Sequence, residues 1–536
     1  MPADLLLLNG TVLTLDAARP RAEALALLGG RVLAVGDRVS LADLRGPKTE
    51  VLDLHGGCAL PAFTDSHCHL NAYGLAMEEV DCSLEAAPTL EAIREKIGEA
   101  ARAAAPGEWI QARAYDDTRL RPQRHPTRWD LDAVAPDHPV ILRRRCGHVC
   151  VANSLALRMA GISVDGPEVP GGKIDRDERG EPTGVLRERA QDLVRDLIPP
   201  PPTERIKRGI TRAAERYLRE GIAAVHDAGG ARMEELLAYR ELAEEERLPL
   251  RVVLMVRPPW LEHCIGAGIA TGFGGERITV GPVKLFADGG IGPRTAAVTR
   301  PYHGEPDNLG VLRLSEEELS DTAVLAARAG FAVAIHAIGD EAVRAAIAAL
   351  ARAMEERAPG RYPHRIEHCV LPGPGDIETM RRLNIAAAVQ PAFLHTLGDS
   401  WLEALDADLA ERCYPLRSMW AAGVLITGGS DCPVVPSSPL LGVSSLVTRR
   451  TASGRSIAPA EAIEIEAALR VYTDLPPRLM GEQNVRGRLS PGLAGDVTVL
   501  SADPTQIPAE ALPDVEVWAT ITGGRVRYLA PAPVLS

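Results

Sequence analysis

Residues 63–70 read Phe-Thr-Asp-Ser-His-Cys-His-Leu. Alternate side chains of a strand project to one side, so His67 and His69 at a strand end can face one metal ion together. Imidazole nitrogens at that spacing suit a zinc-type site. Further residues with metal-binding chemistry recur far downstream: Lys284, His336, His368 and Asp431. Each lies within or closes an apolar run that reads as a strand, so donors scattered in sequence converge once those strands share a sheet. Lys284 is the unusual member, because an ammonium repels a cation. A neutral lysine amine, however, adds carbon dioxide to give a carbamate whose oxygens can bridge two ions, and burial beside other cations favours the neutral form. The alternative reading pairs Lys284 with Asp288.

The elements that must position these residues follow from periodicity. Strand candidates fall at 62–67, 222–227, 250–256, 282–287, 332–336, 365–368, 385–390 and 424–431. Helical patterns fill the gaps at 204–220, 233–246, 316–329, 341–356, 376–383 and 408–422. Strands alternating with helices predict an α/β protein, a (β/α)8 TIM-like barrel whose chemistry gathers at the C-terminal strand ends. Short strands separated by turns occupy both chain ends, at 5–8, 12–15, 24–28, 31–35 and 51–54, then at 496–500, 515–521 and 525–528. They predict a β-sandwich domain built from both termini, 1–60 with 484–536, around a barrel at 61–483. The interval 71–204 is too long for one connection. It predicts an inserted α/β subdomain over the barrel mouth, with a helix at 90–104, strands at 109–114 and 140–145, a helix at 152–160 and a turn-rich stretch at 167–184. Residues 199–202, all proline, read as a stiff spacer.

Composition narrows the function. The 536 residues are 46% hydrophobic and 24% charged, without an apolar run near the roughly 18 residues a membrane span needs. A net charge of -13 argues against a nucleic-acid surface and for a small-molecule partner. The first 16 residues lack a basic leader and a cleavage signal. Nine scattered cysteines predict reduced thiols and a cytoplasmic location. Cys146 and Cys150 flank Gly147-His148, but no second pair matches them, which favours thiols over a metal site.

Taken together, the motifs Leu60-Pro-Ala-Phe-Thr-Asp-Ser-His-Cys-His69, Gly147-His148 with Asn153, Pro170-Gly-Gly172, Val283-Lys-Leu-Phe-Ala-Asp-Gly289, His336-Ala-Ile-Gly-Asp340, His364-Arg-Ile-Glu-His368, Gly429-Ser-Asp-Cys-Pro433 and 487–496 span the chain. The chain resembles the metal-dependent amidohydrolases, specifically the YtcJ-like branch of the amidohydrolase-3 type, which includes N-substituted formamide deformylases. Ala62 and Thr64 depart from the usual glycine and aliphatic residue.

The resemblance implies that His67 and His69 bind one zinc ion, that carboxylated Lys284 bridges to a second, and that His336 and His368 bind that second ion. Asp431 would contact the first ion and move the proton; a one-metal site also occurs in the wider superfamily. The implied reaction is hydrolysis of a C–N bond in an amide, N-formyl or N-acyl amine by a metal-activated hydroxide, with Asp431 as general base and acid. Cyclic amide or imide opening and heterocycle deamination use the same kind of site, and a non-catalytic metal-binding regulator is the reading from another class. Substrate contacts are expected from His148, Tyr115, Asp116, Arg187, His226, Arg294 and Gln390. After three arginines, His148 reads either as part of an anion-holding edge or as part of a solvated one. A homodimer is the expected assembly.

Overall fold

The eight apolar runs pair in chain order into one parallel sheet. Its strands are β1 (Phe63–Cys68), β2 (Ile222–Asp227), β3 (Arg251–Val256), β4 (Ile278–Phe286), β5 (Val333–Ala337), β6 (Arg365–His368), β7 (Ala386–Val389) and β8 (Ile426–Gly428). This computed structural model describes residues 1–531 apart from 118, 146, 148, 167, 168, 170, 171, 230–232, 358 and 359. Every ladder between successive strands is parallel. Beyond β8 the chain nearly closes the sheet onto β1: Asp431 N–H donates to the His67 carbonyl at 2.7 Å, and His69 N–H donates to the Cys432 carbonyl at 2.9 Å. The result is a TIM-like barrel. Both faces of its strands are covered, and all six residues of β3 are buried.

Helices on the outer face begin and stop where local chemistry dictates. Helix Glu316–Arg328 starts at a capping box, with Ser315 and Glu318 satisfying each other's backbone N–H. Helix Asp340–Glu356 follows Gly339 and buries Val343, Ala346, Ile347 and Leu350. The single helix expected at 408–422 is instead two, Ala407–Ala410 and Leu416–Ala422. Pro415 has no N–H to continue the ladder, and Tyr414 before it adopts a left-handed backbone with φ 51.

Strands from both termini form two further sheets. One runs Arg31–Gly36, Ala24–Leu28, Leu5–Leu8, Glu50–Asp53. The other runs Arg525–Leu529, Val517–Thr522, Val497–Leu500, Cys58–Pro61, Thr11–Leu13, Arg21–Ala22, with Cys58–Pro61 antiparallel to Val497–Leu500. Leu5, Leu7, Leu25 and Leu27 of the first share one buried cluster with Ala59, Val497, Val499, Ala519 and Ile521 of the second. Thr64, at an uncommon position for a hydroxyl, accepts a hydrogen bond from Arg486 at 3.0 Å, which accounts for its polarity.

The chain divides into two compact units, Met1–Tyr73 with Ile210–Ser536, and Gly74–Gly209. The second unit starts and ends a few residues later than the expected 71–204, because helices Leu70–Ala76 and Thr203–Arg219 carry the chain across its borders. Gly74 and Gly209 meet backbone to backbone there, and a Cβ on Gly74 would lie 2.1 Å from the Gly209 carbonyl oxygen. Within this unit a six-stranded sheet sends alternate residues to two clusters. Val140, Leu142, Val149 and Val151 pack with Ile93 and Ile97 of helix Leu90–Ala103, whereas Ile141, Cys150 and Ala152 pack with Leu157 and Leu186. The stretch read as turns at 167–184 contributes the hairpin strands Gly172–Arg176 and Pro182–Glu188, with Pro182 at the first strand position, where its missing N–H is tolerated. Among the described residues no helix is long and apolar enough to cross a membrane.

Candidate metal centre

His67 closes the buried end of β1, and its ring orientation is fixed from behind. Its Nδ1 contacts the Glu367 carboxylate, which places a proton on Nδ1 and turns Nε2 forward. Nε2 lies 3.3 Å from Asp431 Oδ1, and His69 Nε2 lies 3.1 Å from the same oxygen. His368 is held in the same way, with Nδ1 2.5 Å from Gln390 Oε1. His67, His368 and Asp431 are buried and bring one potential ligand atom each to within 4.8 Å of the others. His336 completes a run of rings, with its centroid 4.3 Å from that of His368, itself 5.0 Å from His67. Its Nε2 donates to the Gly289 carbonyl at 2.9 Å, so Nδ1 carries its lone pair. Two imidazoles and a carboxylate with oriented neighbours are the donor chemistry of a divalent metal site.

The electrostatics keep His336 and His368 neutral and Asp431 ionised, and favour charge on His67. Burial, reinforced by Lys284, pushes His336 down to about 3, and burial with His336 holds His368 well below the usual imidazole range. Burial also opposes the charges on His67 and Asp431. Glu367 and Asp431 nevertheless raise His67, and hydrogen bonds from His67 and His69 hold Asp431 well below the carboxylate range. Lys284 is 1% exposed on β4. Burial brings it down to about 7, helped by Arg257 and Arg365 against Glu367 and Asp431. Asp288 is not its ion-pair partner, since the carboxylate accepts instead from the N–H groups of Ala297, Ile338 and Gly339 at 3.0, 3.0 and 2.8 Å. Burial pushes Asp288 up to about 7.

Two of the candidate ligand positions hold strained backbone: His368 has φ 67 and Asp431 φ 57. At His368 the strain has a visible effect. On a regular strand Glu367 and His368 would face opposite sides. The left-handed turn lets both reach His67, one by carboxylate and one by ring. Glu367 is therefore a site residue that alternation concealed; Arg365, 2.5 Å from its other oxygen, pins it in place. The signal in the sequence was Arg-x-Glu-His itself, a charged pair inside a strand that has no solvent face.

Of the expected substrate contacts, Gln390, His226 and Arg294 belong to the unit that carries the barrel. Gln390 stands behind His368, and its backbone N–H donates to the Tyr414 hydroxyl at 3.2 Å. His226 is buried, its Nδ1 accepting from Arg365 at 2.9 Å. Arg294 pairs with Glu305. Tyr115, Asp116 and Arg187 belong to the Gly74–Gly209 unit, where Tyr115 meets His125 at 2.9 Å, Asp116 meets Arg145 at 3.1 Å and Arg187 meets Asp175 at 2.7 Å. His148 lies outside the described residues.

Known proteins resemble this chain over nearly its whole length. The chain is 30% identical over 529 residues to YtcJ of Bacillus subtilis (strain 168), which carries an amidohydrolase name, covering 97% of this chain and 98% of that one. It is 30% identical over 546 residues to the N-substituted formamide deformylase of Arthrobacter pascens, with 98% of each covered. An uncharacterized metal-dependent hydrolase of Pyrococcus horikoshii OT3 superposes with a TM-score of 0.78 at 29% identity, over 94% of this chain and 99% of that structure. The amidohydrolase family model matches residues 50–528, and through every barrel strand and every donor described above the chain belongs to the amidohydrolase family, enzymes that hydrolyse carbon–nitrogen bonds.

Proposed function

We propose that the enzyme cleaves the C–N bond of a linear amide, an N-formyl or N-acyl amine, releasing an amine and a carboxylic acid. The observation that carries this is the convergence of His67 and His69 Nε2 on one oxygen of Asp431. The name of the Arthrobacter pascens relative supports the N-formyl case. His67, His69 and Asp431 would hold one divalent ion, zinc by its nitrogen and oxygen donors, and His336 and His368 a second, with Lys284 as the bridging carbamate. When bound, such ions supply Lewis acidity and lower the pKa of water from about 15.7 to about 7. Lys284, buried and brought down to about 7, has the neutral amine that carbamate formation needs. Asp431, kept ionised, takes the proton of the attacking water and returns it to the leaving nitrogen. Glu367 and Gln390 hold the two imidazoles so that neither ring reorients during that transfer. The terminal sheets read as a composite β-sandwich, and the eight free thiols among the described residues support a reducing, cytoplasmic compartment.

The test is a mass-spectrometric screen of the zinc-supplemented enzyme against N-formyl and N-acyl amines, cyclic amides and aminated heterocycles, with Asp431→Asn alongside. Two products from a linear amide, absent with the variant, is the expected result. A single ring-opened product or released ammonia would instead assign a cyclic amide or a heterocycle as substrate. No turnover in any class with metal bound would overturn the catalytic reading.

A further inference from the structure

Phe286 ends β4 two residues after Lys284, and so on the same side of the strand. Its ring lies 5.5 Å from the His336 ring and 3.8 Å from Lys284 Nζ, which makes it a wall of the metal centre. Two further cations lie against the same ring: the Arg257 guanidinium carbon at 4.6 Å from the centroid and that of Arg313 at 5.4 Å. Arg257 is the first residue after β3, hence at the strand end where the donors gather. The Arg313 N–H donates to the Ala287 carbonyl at 2.7 Å, fixing its loop to the end of β4.

Arg257 is seated with care. At Gly229, φ 135, a Cβ would lie 2.7 Å from Arg257 Cδ, so only glycine lets the arginine stem lie on that backbone. Among the described residues neither guanidinium has a salt-bridge partner, and Arg257 Nε is buried without a hydrogen-bond acceptor. Burial first, then Arg313, lower the Arg257 pKa, and the attraction of Glu235 does not offset them. Two adjacent guanidiniums that repel one another, one of them partly desolvated, gain when an anion enters between them. The planar fork of arginine matches an oxyanion's two oxygens.

We propose that Arg257 and Arg313 bind a carboxylate carried by the substrate, so that the enzyme selects N-formyl or N-acyl amino acids over neutral amides. This rests on the amide reading above and adds the charge of the substrate to it. Phe286 then serves both ends of the site, packing against His336 at the metal side and supporting the two guanidiniums at the other.

The test uses the zinc-loaded enzyme with Arg257→Gln and Arg313→Gln. Matched substrates, N-formylphenylalanine and N-formylphenethylamine, differ only in the carboxylate. Wild type should prefer the acid, and the ratio of kcat/KM for acid over neutral substrate should fall at least about tenfold in each variant, through KM. Equal losses on both substrates, a wild-type preference for the neutral one, or loss of zinc from Arg257→Gln would overturn the proposal. A second readout does not need turnover: benzoate should raise the melting temperature of wild type and not of Arg257→Gln. A benzoate shift that vanishes in the variant, in an enzyme that cleaves no amide, would uphold the anion site and sink the amide reading. Amide turnover with no benzoate shift and no preference for the acid would do the reverse.

Discussion

At the scale of single residues, the donors depend on partners that never face the ligand. His67 owes its tautomer to Glu367, and His368 owes its own to Gln390. Outer partners of this kind are worth about 10- to 100-fold in metal affinity. Gln390→Leu removes the acceptor of His368 Nδ1 and should weaken zinc binding by about that factor, while Gln390→Glu keeps it near wild type. Zinc retained after dialysis against graded chelator reads both. Asp431→Asn separates a different role: it should lower kcat by about 10²- to 10⁴-fold, the usual share of a general base, while keeping most of the metal. Metal analysis beside steady-state kinetics decides, and an active variant would remove Asp431 from proton transfer. His67, His368 and Asp431, which the structure brings together, were legible because each lies at or just past the end of a strand that is buried on both faces, where a charged or imidazole side chain has no solvent to meet. Glu367 was not, since its reach to His67 depends on a left-handed His368 that no residue type announces. Gln390 was visible as a polar group at a strand end, but whether such a group faces substrate or stands behind a ligand is decided in three dimensions.

At the scale of elements, the site is made where β8 meets β1. The Asp431 and His69 backbones bond across that seam, so its spacing sets the distance from carboxylate to imidazoles. Gly429 keeps the seam tight: a Cβ there would lie 2.6 Å from the His67 backbone nitrogen and 2.9 Å from its Cβ. Neither neighbour can give, because His67 is fully buried and held by Glu367. Gly429→Ala should therefore part β8 from β1. A loss of about 1 to 3 kcal/mol, the usual cost of overpacking, should accompany a fall in zinc affinity, measured by denaturant titration and chelator competition. Wild-type zinc affinity in this variant would mean that the seam does not set the donor spacing. Strand positions could be read because most barrel strands are largely apolar runs bounded by turns. The 408–422 helix could not, because its pattern survives the break at Pro415 and only the proline and the buried Tyr414 reveal it.

At the scale of the whole molecule, Asp496 ties the C-terminal sheet to the barrel. Its carboxylate meets Arg251 of β3 at 2.8 and 3.3 Å and accepts the Gly523 N–H at 2.7 Å, while its carbonyl accepts from Ala62 at 3.0 Å, just before β1. Both side chains are buried, and loss of the Asp496 charge would leave buried Arg251 with only the exposed Glu276, 2.6 Å from its other nitrogen, to balance it. Burial opposes the Asp496 charge, but Arg251 outweighs it and lowers the pKa below the usual carboxylate value. A carboxylate lowered on folding contributes stability that is complete above its unfolded pKa, about 3.9, and is lost as pH falls through the lower folded value. Asp496→Asn should thus be less stable than wild type by on the order of 3 kcal/mol at pH 7. The gap should hold down to about pH 5 and narrow below about pH 4, as wild type takes up the proton that the variant lacks. Denaturation midpoints of the two proteins from pH 7 to pH 3 test this. A gap that stayed constant through pH 3 would show that the asparagine acts by misfit rather than by the missing charge, and that the Arg251 pair is not what fastens the terminal sheet to β3.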